Sequence, residues 1–176
     1  MSLSAKDFRT ILESAEHSAV HLETRDTYGT SEESGDFARW QRTGVSNDDP
    51  DSDFWAEWTN LVRPTVARGV VMRRLRIVSE PVSQYVRYEH AGTAVNLAIG
   101  EDVRWLPRRQ ASNLALPGND FWLIDDRIVQ WNYFSGDGES IGHENTDEPD
   151  VVKLCSSAFE AAWRRGIPHA HYSICS

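Results

Sequence analysis

The chain of 176 residues and 20.0 kDa has the length of one domain, enough to bury roughly two thirds of its unfolded surface. Hydrophobic residues make up 40% and charged residues 26%, spread so evenly that intrinsic disorder is excluded, and no apolar run approaches the ~20 residues of a membrane span. A net charge of −9 argues against non-specific nucleic-acid binding, in which Lys and Arg must neutralise phosphates.

Ser4 followed by Asp7 forms a capping-box pattern, and Phe8, Ile11, Leu12 and Ala15 recur at helical spacing, so a first helix is expected over about 4–17. Val20 and Leu22 then alternate with His21 and Glu23, which predicts a short strand leading into an acidic loop with a small helix near DFARWQR. After NDDPDSD, the stripe Phe54, Trp55, Trp58, Leu61 and Val62 predicts a helix from about 52, bent or ended near Pro64 and closed by Gly69. VVMRRLRIVSE reads as a strand, and Pro81 as the first turn of a helix carrying Val82, Tyr85 and Val86. Gly92 and Gly100 punctuate room for a second short helix before the strand DVRWLP. DFWLIDD and RIVQWNYF form an antiparallel hairpin pattern, SGDGESIGHENTDEP a polar, mobile loop, and Pro149 to Gly166 an amphipathic helix.

This order implies an α/β or α+β architecture, a mixed sheet of four to six strands covered by helices. The chain reads as a single domain over 1–176, with an N-terminal helical part (1–68), an α/β part (69–167) and a tail (168–176). The first residues, MSLSAKDFRT, have no apolar stretch of the kind that directs export, and two cysteines are too few for a disulfide framework. The expected location is therefore the cytoplasm.

All but two of the 18 basic residues, Lys6 and Lys153, are arginine. Arg63, Arg68, Arg73, Arg74, Arg76, Arg87, Arg104, Arg108 and Arg109 crowd into the middle of the chain against Glu80, Glu89, Glu101 and Asp102. That segment can meet an acidic partner or a phosphate, or its arginines can pair internally with the acidic stretch from Glu32 to Glu57.

With GVVMRRLRIVSEPVSQYVRYE, GEDVRWLPR, DFWLIDDRIV and FEAAWRRGIPH, the chain resembles an actinobacterial family, domain of unknown function 6879. That resemblance implies small cytoplasmic proteins encoded near helix-turn-helix regulators, and hence a regulatory setting. Over about 69–167 the chain is also similar to phospholipase-D-like domains, in particular the degenerate copies in bacterial regulators. The active members of that family place a nucleophilic His and a phosphate-binding Lys before an Asp. With Asp125 set on that Asp, Gly118 falls at the His position and Asp120 at the Lys position. The resemblance thus implies a phospholipase-D-like fold without phosphodiester cleavage by that mechanism, because no His anywhere is followed two residues later by Lys.

His169, His171 and Cys175, with His143 and Glu144, are zinc-ligand types, but their spacing matches no closed structural site and no metal is expected. No Gly-rich phosphate loop is present, and no cofactor is expected. Of seven tryptophans, Trp55, Trp58, Trp122 and Trp163 lie on apolar stripes and read as core. Trp40, Trp105 and Trp131 are the ones free to face a ligand or partner. Tyr85 reads as core and Tyr88 as surface, Cys155 as a small buried hydrophobe, and Asp125 and Asp126 as turn residues. Glu80, Tyr85, Arg87, Tyr88, Glu89, Glu101 and Arg104 fall near strand ends, where an open α/β sheet keeps its crevice, and form either an ion-pair network or a cleft.

Two functions fit. The first is a non-catalytic, cytoplasmic regulatory module that binds a protein such as a helix-turn-helix regulator, or a small anionic ligand. Arg74, Arg76, Arg87, Arg104 and Arg108 would make the contacts, and Glu80, Tyr88 and Trp105 would shape the cleft. The second is an enzyme or toxin that uses Glu80, Tyr88, His90 and Glu101 as acid-base groups on a small metabolite. A self-associating protein would instead carry an exposed apolar patch around Trp40 or Trp131. Neither nucleic acid nor a membrane is an expected partner, and a homo-oligomer is compatible with either function.

Overall fold

The computed structural model describes residues 7–29 and 34–174. A seven-stranded mixed sheet in the order β6-β5-β4-β1-β2-β3-β7 forms its centre. The strands are β1 (Ser18–Glu23), β2 (Val71–Val78), β3 (Glu101–Pro107), β4 (Asp120–Ile124), β5 (Ile128–Phe134), β6 (Ser140–Thr146) and β7 (Ile167–Pro168). β1 runs parallel to β2 and β2 to β3, and every other pairing is antiparallel. The expected four to six strands become seven because two escape a search for apolar alternation. β6, read as a mobile loop, is a solvent-facing edge strand in which only Asn145 is buried, and β7 has two residues.

The helices are α1 (Phe8–Glu13), α2 (Ser34–Thr43), α3 (Ala56–Ala67), α4 (Gln84–Ala98) and α5 (Pro149–Trp163). α1 is shorter than its apolar spacing suggests. Asp7 caps it by accepting from the Thr10 N–H at 2.7 Å, whereas Ser4 lies outside the described residues. α3 continues through Pro64 to Ala67, where Gly69, at φ +93°, turns the chain toward β2. Ser83 caps α4 by accepting from Val86 N–H at 3.1 Å, which places Pro81 outside the helix. α4 then runs unbroken through Gly92, against which the Trp55 ring packs, so one helix replaces the expected two.

The period of two along each strand divides the sheet into two unlike faces. Toward α5 point Val20, Leu22, Leu75, Ile77, Leu106, Phe121 and Leu123, which pack on Cys155, Phe159 and Trp163 in one dry core. On the opposite face, Ala19, Met72, Trp122 and Ile124 pack beneath α1 and α3, and Val78 and Trp105 pack beneath α4. Between these two apolar ends the sheet presents charged side chains.

β1 belongs to the middle of the sheet, so the division at 68/69 is not a structural boundary. The carboxylate of Asp125, at the β4–β5 turn, locks β1 in place by accepting from the N–H groups of Glu16, His17 and Ser18 at 2.8–2.9 Å. Asp125 and Asp126 both have positive φ, as a tight hairpin turn requires. No helix among the described residues is long and apolar enough to cross a membrane.

Candidate functional site

The alternation that buries Leu22, Leu75 and Ile77 turns their neighbours toward α3 and α4. β1 contributes His21 and Glu23, β2 Arg74 and Arg76, β3 Glu101, and β4 Asp120 and Trp122. Glu23 is the hub. Its Oε1 accepts from Arg74 Nη1 at 2.5 Å and its Oε2 from Arg76 Nε at 2.6 Å. Arg74 Nε donates to Glu101 at 2.8 Å, and Glu101 also accepts from Trp58 Nε1 at 2.7 Å and Asn96 Nδ2 at 2.9 Å. Arg76 donates to Thr93 Oγ1 at 2.8 Å and lies 3.8 Å from the Glu89 carboxylate.

These pairs are buried, so each charge depends on its partner. Burial alone would raise the Glu23 pKa, but the Arg76 and Arg74 guanidiniums hold it far below the ordinary range. Burial pushes His21 down to about 3, with Arg74 and Arg76 adding to the effect and Glu23 opposing it. Its Nδ1 lies 3.1 Å from Arg74 Nη1, which identifies that nitrogen as the acceptor of a neutral ring. The ring stacks on Trp122 at 4.2 Å, and the Arg74 guanidinium sits 5.4 Å from the centroids of both Trp58 and Trp122.

Above this floor is a cavity of about 860 Å3. Arg74, Arg76, His21 and Glu23 line its base, Phe8, Trp58, Trp122, Tyr85 and Phe134 its apolar walls, and the exposed Asp53, Phe54 and Glu57 its mouth. Asp120 closes one end. It accepts from Thr24 N–H at 2.9 Å, from Thr24 Oγ1 at 2.6 Å and from the Tyr28 hydroxyl. Burial raises the Asp120 pKa and Glu23 adds to the rise, while the Thr24 and Tyr28 hydrogen bonds oppose it. A side pocket of about 40 Å3 adjoins, lined by Asp36, Trp55, Tyr88 and Glu89 among others.

Of the arginines singled out in the sequence, the structure brings only Arg74 and Arg76 together. Arg104 pairs in register with Leu75 and therefore faces α5, where its guanidinium stacks 4.3 Å from the Trp163 ring. Arg108 clamps strand ends by donating to Thr24 O at 2.6 Å and Ile77 O at 3.2 Å, and Arg87 lies half-buried on α4. Internal pairing prevails for Arg73, Arg74, Arg76 and Arg108, but with Glu160, Glu23, Glu101, Glu89 and Asp26. Among the described residues, only Arg63 of this segment, paired with Asp51, uses the acidic stretch expected to serve it.

The acid-base candidates are scattered. Glu101 lies beneath the cavity floor, and Tyr88 is buried, not on the surface, donating to Asp36 at 2.9 Å. Glu80 accepts from the Tyr172 hydroxyl at 2.9 Å near the tail, and His90 contacts the Tyr172 carbonyl at 3.2 Å. Trp105, expected to face a cleft, is fully buried and donates to His169 Nδ1 at 3.1 Å. Trp58 and Trp122, read as core, do pack in the apolar cluster beneath α1 and α3, and together with Trp55 they also line the cavity. Burial pushes the Cys155 thiol up to about 12. No group of three or more metal-ligating residues gathers among the described residues, and Cys175 lies outside them.

His21, Glu23, Tyr28, Asn96 and Asp120 are the site residues that the sequence reading passed over. A signal existed for two of them. His21 and Glu23 share one parity on a strand whose parallel neighbour carries Arg74 and Arg76 on its matching parity, and complementary charges on adjacent strands mark a shared face.

Among solved structures, the chain is similar to Nuc from Salmonella typhimurium, a phospholipase D family member, with 13% identity and a TM-score of 0.53 over 91% of this chain and 86% of that one. It is also similar to TrmBL2, an archaeal chromatin protein, with 14% identity and a TM-score of 0.47 over 90% of this chain and 47% of that one. The likeness to Nuc establishes a phospholipase-D-like fold. No curated protein matches the chain. The model of one family spans residues 6–174, and the chain belongs to that family, domain of unknown function 6879.

Proposed function

We propose that the chain is a non-catalytic regulatory module of the cytoplasm that senses a small molecule in the cavity on the α3/α4 face of its sheet. The observation that carries this reading is the cavity itself, about 860 Å3 with aromatic walls, above a floor whose arginines are already held by Glu23 and Glu101. A preformed hollow that combines aromatic walls with fixed polar groups is a common form of ligand site.

The dispersal of Glu80, Tyr88, His90 and Glu101 argues against an acid-base enzyme built on those four groups, which would have to meet around one concave space. It also matters for partners that Arg74 and Arg76 lie under helices while Arg104 faces α5. An acidic protein surface could not reach them together. Contact with a helix-turn-helix regulator, the setting implied by the family resemblance, is then an output of ligand occupancy and not a contact through an arginine belt.

Native mass spectrometry of the tagged full chain, purified from its own cells, tests this reading. One bound small molecule per chain, lost in Trp58→Leu, is the expected result. A chain that carries no small molecule but holds a stoichiometric protein partner overturns it.

A further inference from the structure

Carboxylates outnumber cations around the cavity floor. Among the described residues, Glu23, Glu89, Glu101 and Asp120 face the cations Arg74 and Arg76, since His21 is neutral where it lies. Each of the three glutamates has a guanidinium within 4.0 Å. Asp120 has no cationic side chain within that distance among the described residues, although it is only 3% exposed and lines the cavity. A buried carboxylate without a counter-charge is costly, because hydrogen bonds compensate only part of the hydration it loses. Among the described residues the imbalance continues outward, where Asp7, Asp53 and Glu57 line the cavity with Arg9.

Around Asp120 the walls are aromatic. The Tyr28 hydroxyl donates to its Oδ2, Phe134 meets Tyr28 edge to face at 5.1 Å, and Trp122 lies one turn of the pleat along the same strand face. Rings of this kind attract a cation through their faces and accept a flat apolar body, and Trp122 and Phe134 already hold Arg74 and Arg25 in this way. An anion would find the guanidinium donors occupied and an excess of negative charge, and a neutral apolar molecule would leave Asp120 with its three hydrogen bonds but no counter-charge.

We infer that the cavity takes an organic cation, a protonated amine on a planar apolar body, with the ammonium seated against the Asp120 carboxylate. The inference rests on the cavity being the ligand site and names the class of ligand it admits.

Three indoles that differ in charge test it by calorimetric titration of the full chain at neutral pH. Tryptamine is the cation, indole the neutral body and indole-3-acetate the anion. The expected order is tryptamine at least tenfold tighter than indole, with no measurable binding of indole-3-acetate. Asp120→Asn keeps the shape and is expected to cost tryptamine tenfold or more while leaving indole within twofold.

Equal or tighter binding of indole-3-acetate overturns the inference and leaves the ligand-sensing reading in place. Unchanged tryptamine affinity in a folded D120N overturns the role of Asp120. No binding of any of the three at millimolar concentration counts against the aromatic cation, while native mass spectrometry decides separately on the ligand-sensing reading. The three-ligand series needs no variant, so it decides the question even if D120N fails to fold.

Discussion

The two faces of one sheet solve the burial problem in opposite ways. Toward α5, side chains from five adjacent strands and the helix interlock as an apolar core bordered by Arg73 and Arg104, and the strength of that core is proportional to area and largely indifferent to pH. Toward α3 and α4, the same strands bury Glu23, Arg74, Arg76 and Glu101, whose mutual attraction must offset the loss of water around each of them. A face held by shape can be trimmed by degrees. A face held by charge fails when one partner leaves, and it keeps polar groups fixed around a hollow that an apolar core would have filled.

Removing the hub should break the contrast most sharply. Glu23→Ala leaves two buried guanidiniums short of a counter-charge, and an expected loss of about 3–5 kcal/mol is measurable by urea unfolding at neutral pH. A loss under ~1 kcal/mol would mean that water reaches the floor and the two faces are not so different. On the apolar side, Leu75→Ala should cost about 3 kcal/mol, with the deficit unchanged between pH 4 and 8 in the same assay.

The pH dependence of the wild-type chain sharpens the comparison further. His21 is neutral in the fold with its pKa held down at about 3, whereas an unfolded histidine takes up a proton below about 6.5. Its contribution is therefore complete above pH 6.5 and is lost as the pH falls from there toward 3. Glu23, with its pKa depressed, adds stability that is present above the ordinary carboxyl value and is lost as the pH falls through its lowered one. His21→Asn should reduce the slope of the stability profile between pH 6.5 and 4, leaving the part owed to His90 and His169, whose pKa values burial also lowers, and an unchanged slope would exclude His21 as a contributor.

The smallest expected effect is at the turn. Asp125→Ala strips an acceptor from three N–H groups and should cost about 1–2 kcal/mol. The deficit should shrink below pH 4, because the depressed pKa of Asp125 makes its contribution one that acid removes.

What could be read from the sequence followed periodicity. The strands VVMRRLRIV and DVRWLP, the hairpin around Asp125 and the last helix have apolar patterns that survive folding, and they lie where those patterns place them. β6 was illegible because an edge strand open to solvent on both sides needs no apolar parity. The site was half legible. Arg74 and Arg76 share a parity that places them on one face. The faces of Arg104 and Glu101, however, depend on the register of β3 against β2, a long-range quantity that no local pattern encodes. The alternation of β1 marks a strand but not which way its polar parity faces: His and Glu usually mark solvent, and only the neighbouring arginines make that parity an interior.

The position of β1 has a consequence for how the chain is made. Its parallel neighbour begins at Val71 and its antiparallel neighbour ends at Ile124, and the bonds that fasten its start to Asp125 span 107 to 109 residues. During synthesis β1 therefore leaves the ribosome well before either neighbour and is enclosed on both sides only once β4 has followed it. Until residue 125 emerges, the growing chain carries an open edge through what will become its centre, and the slow closure of such distant contacts sets the pace of its folding.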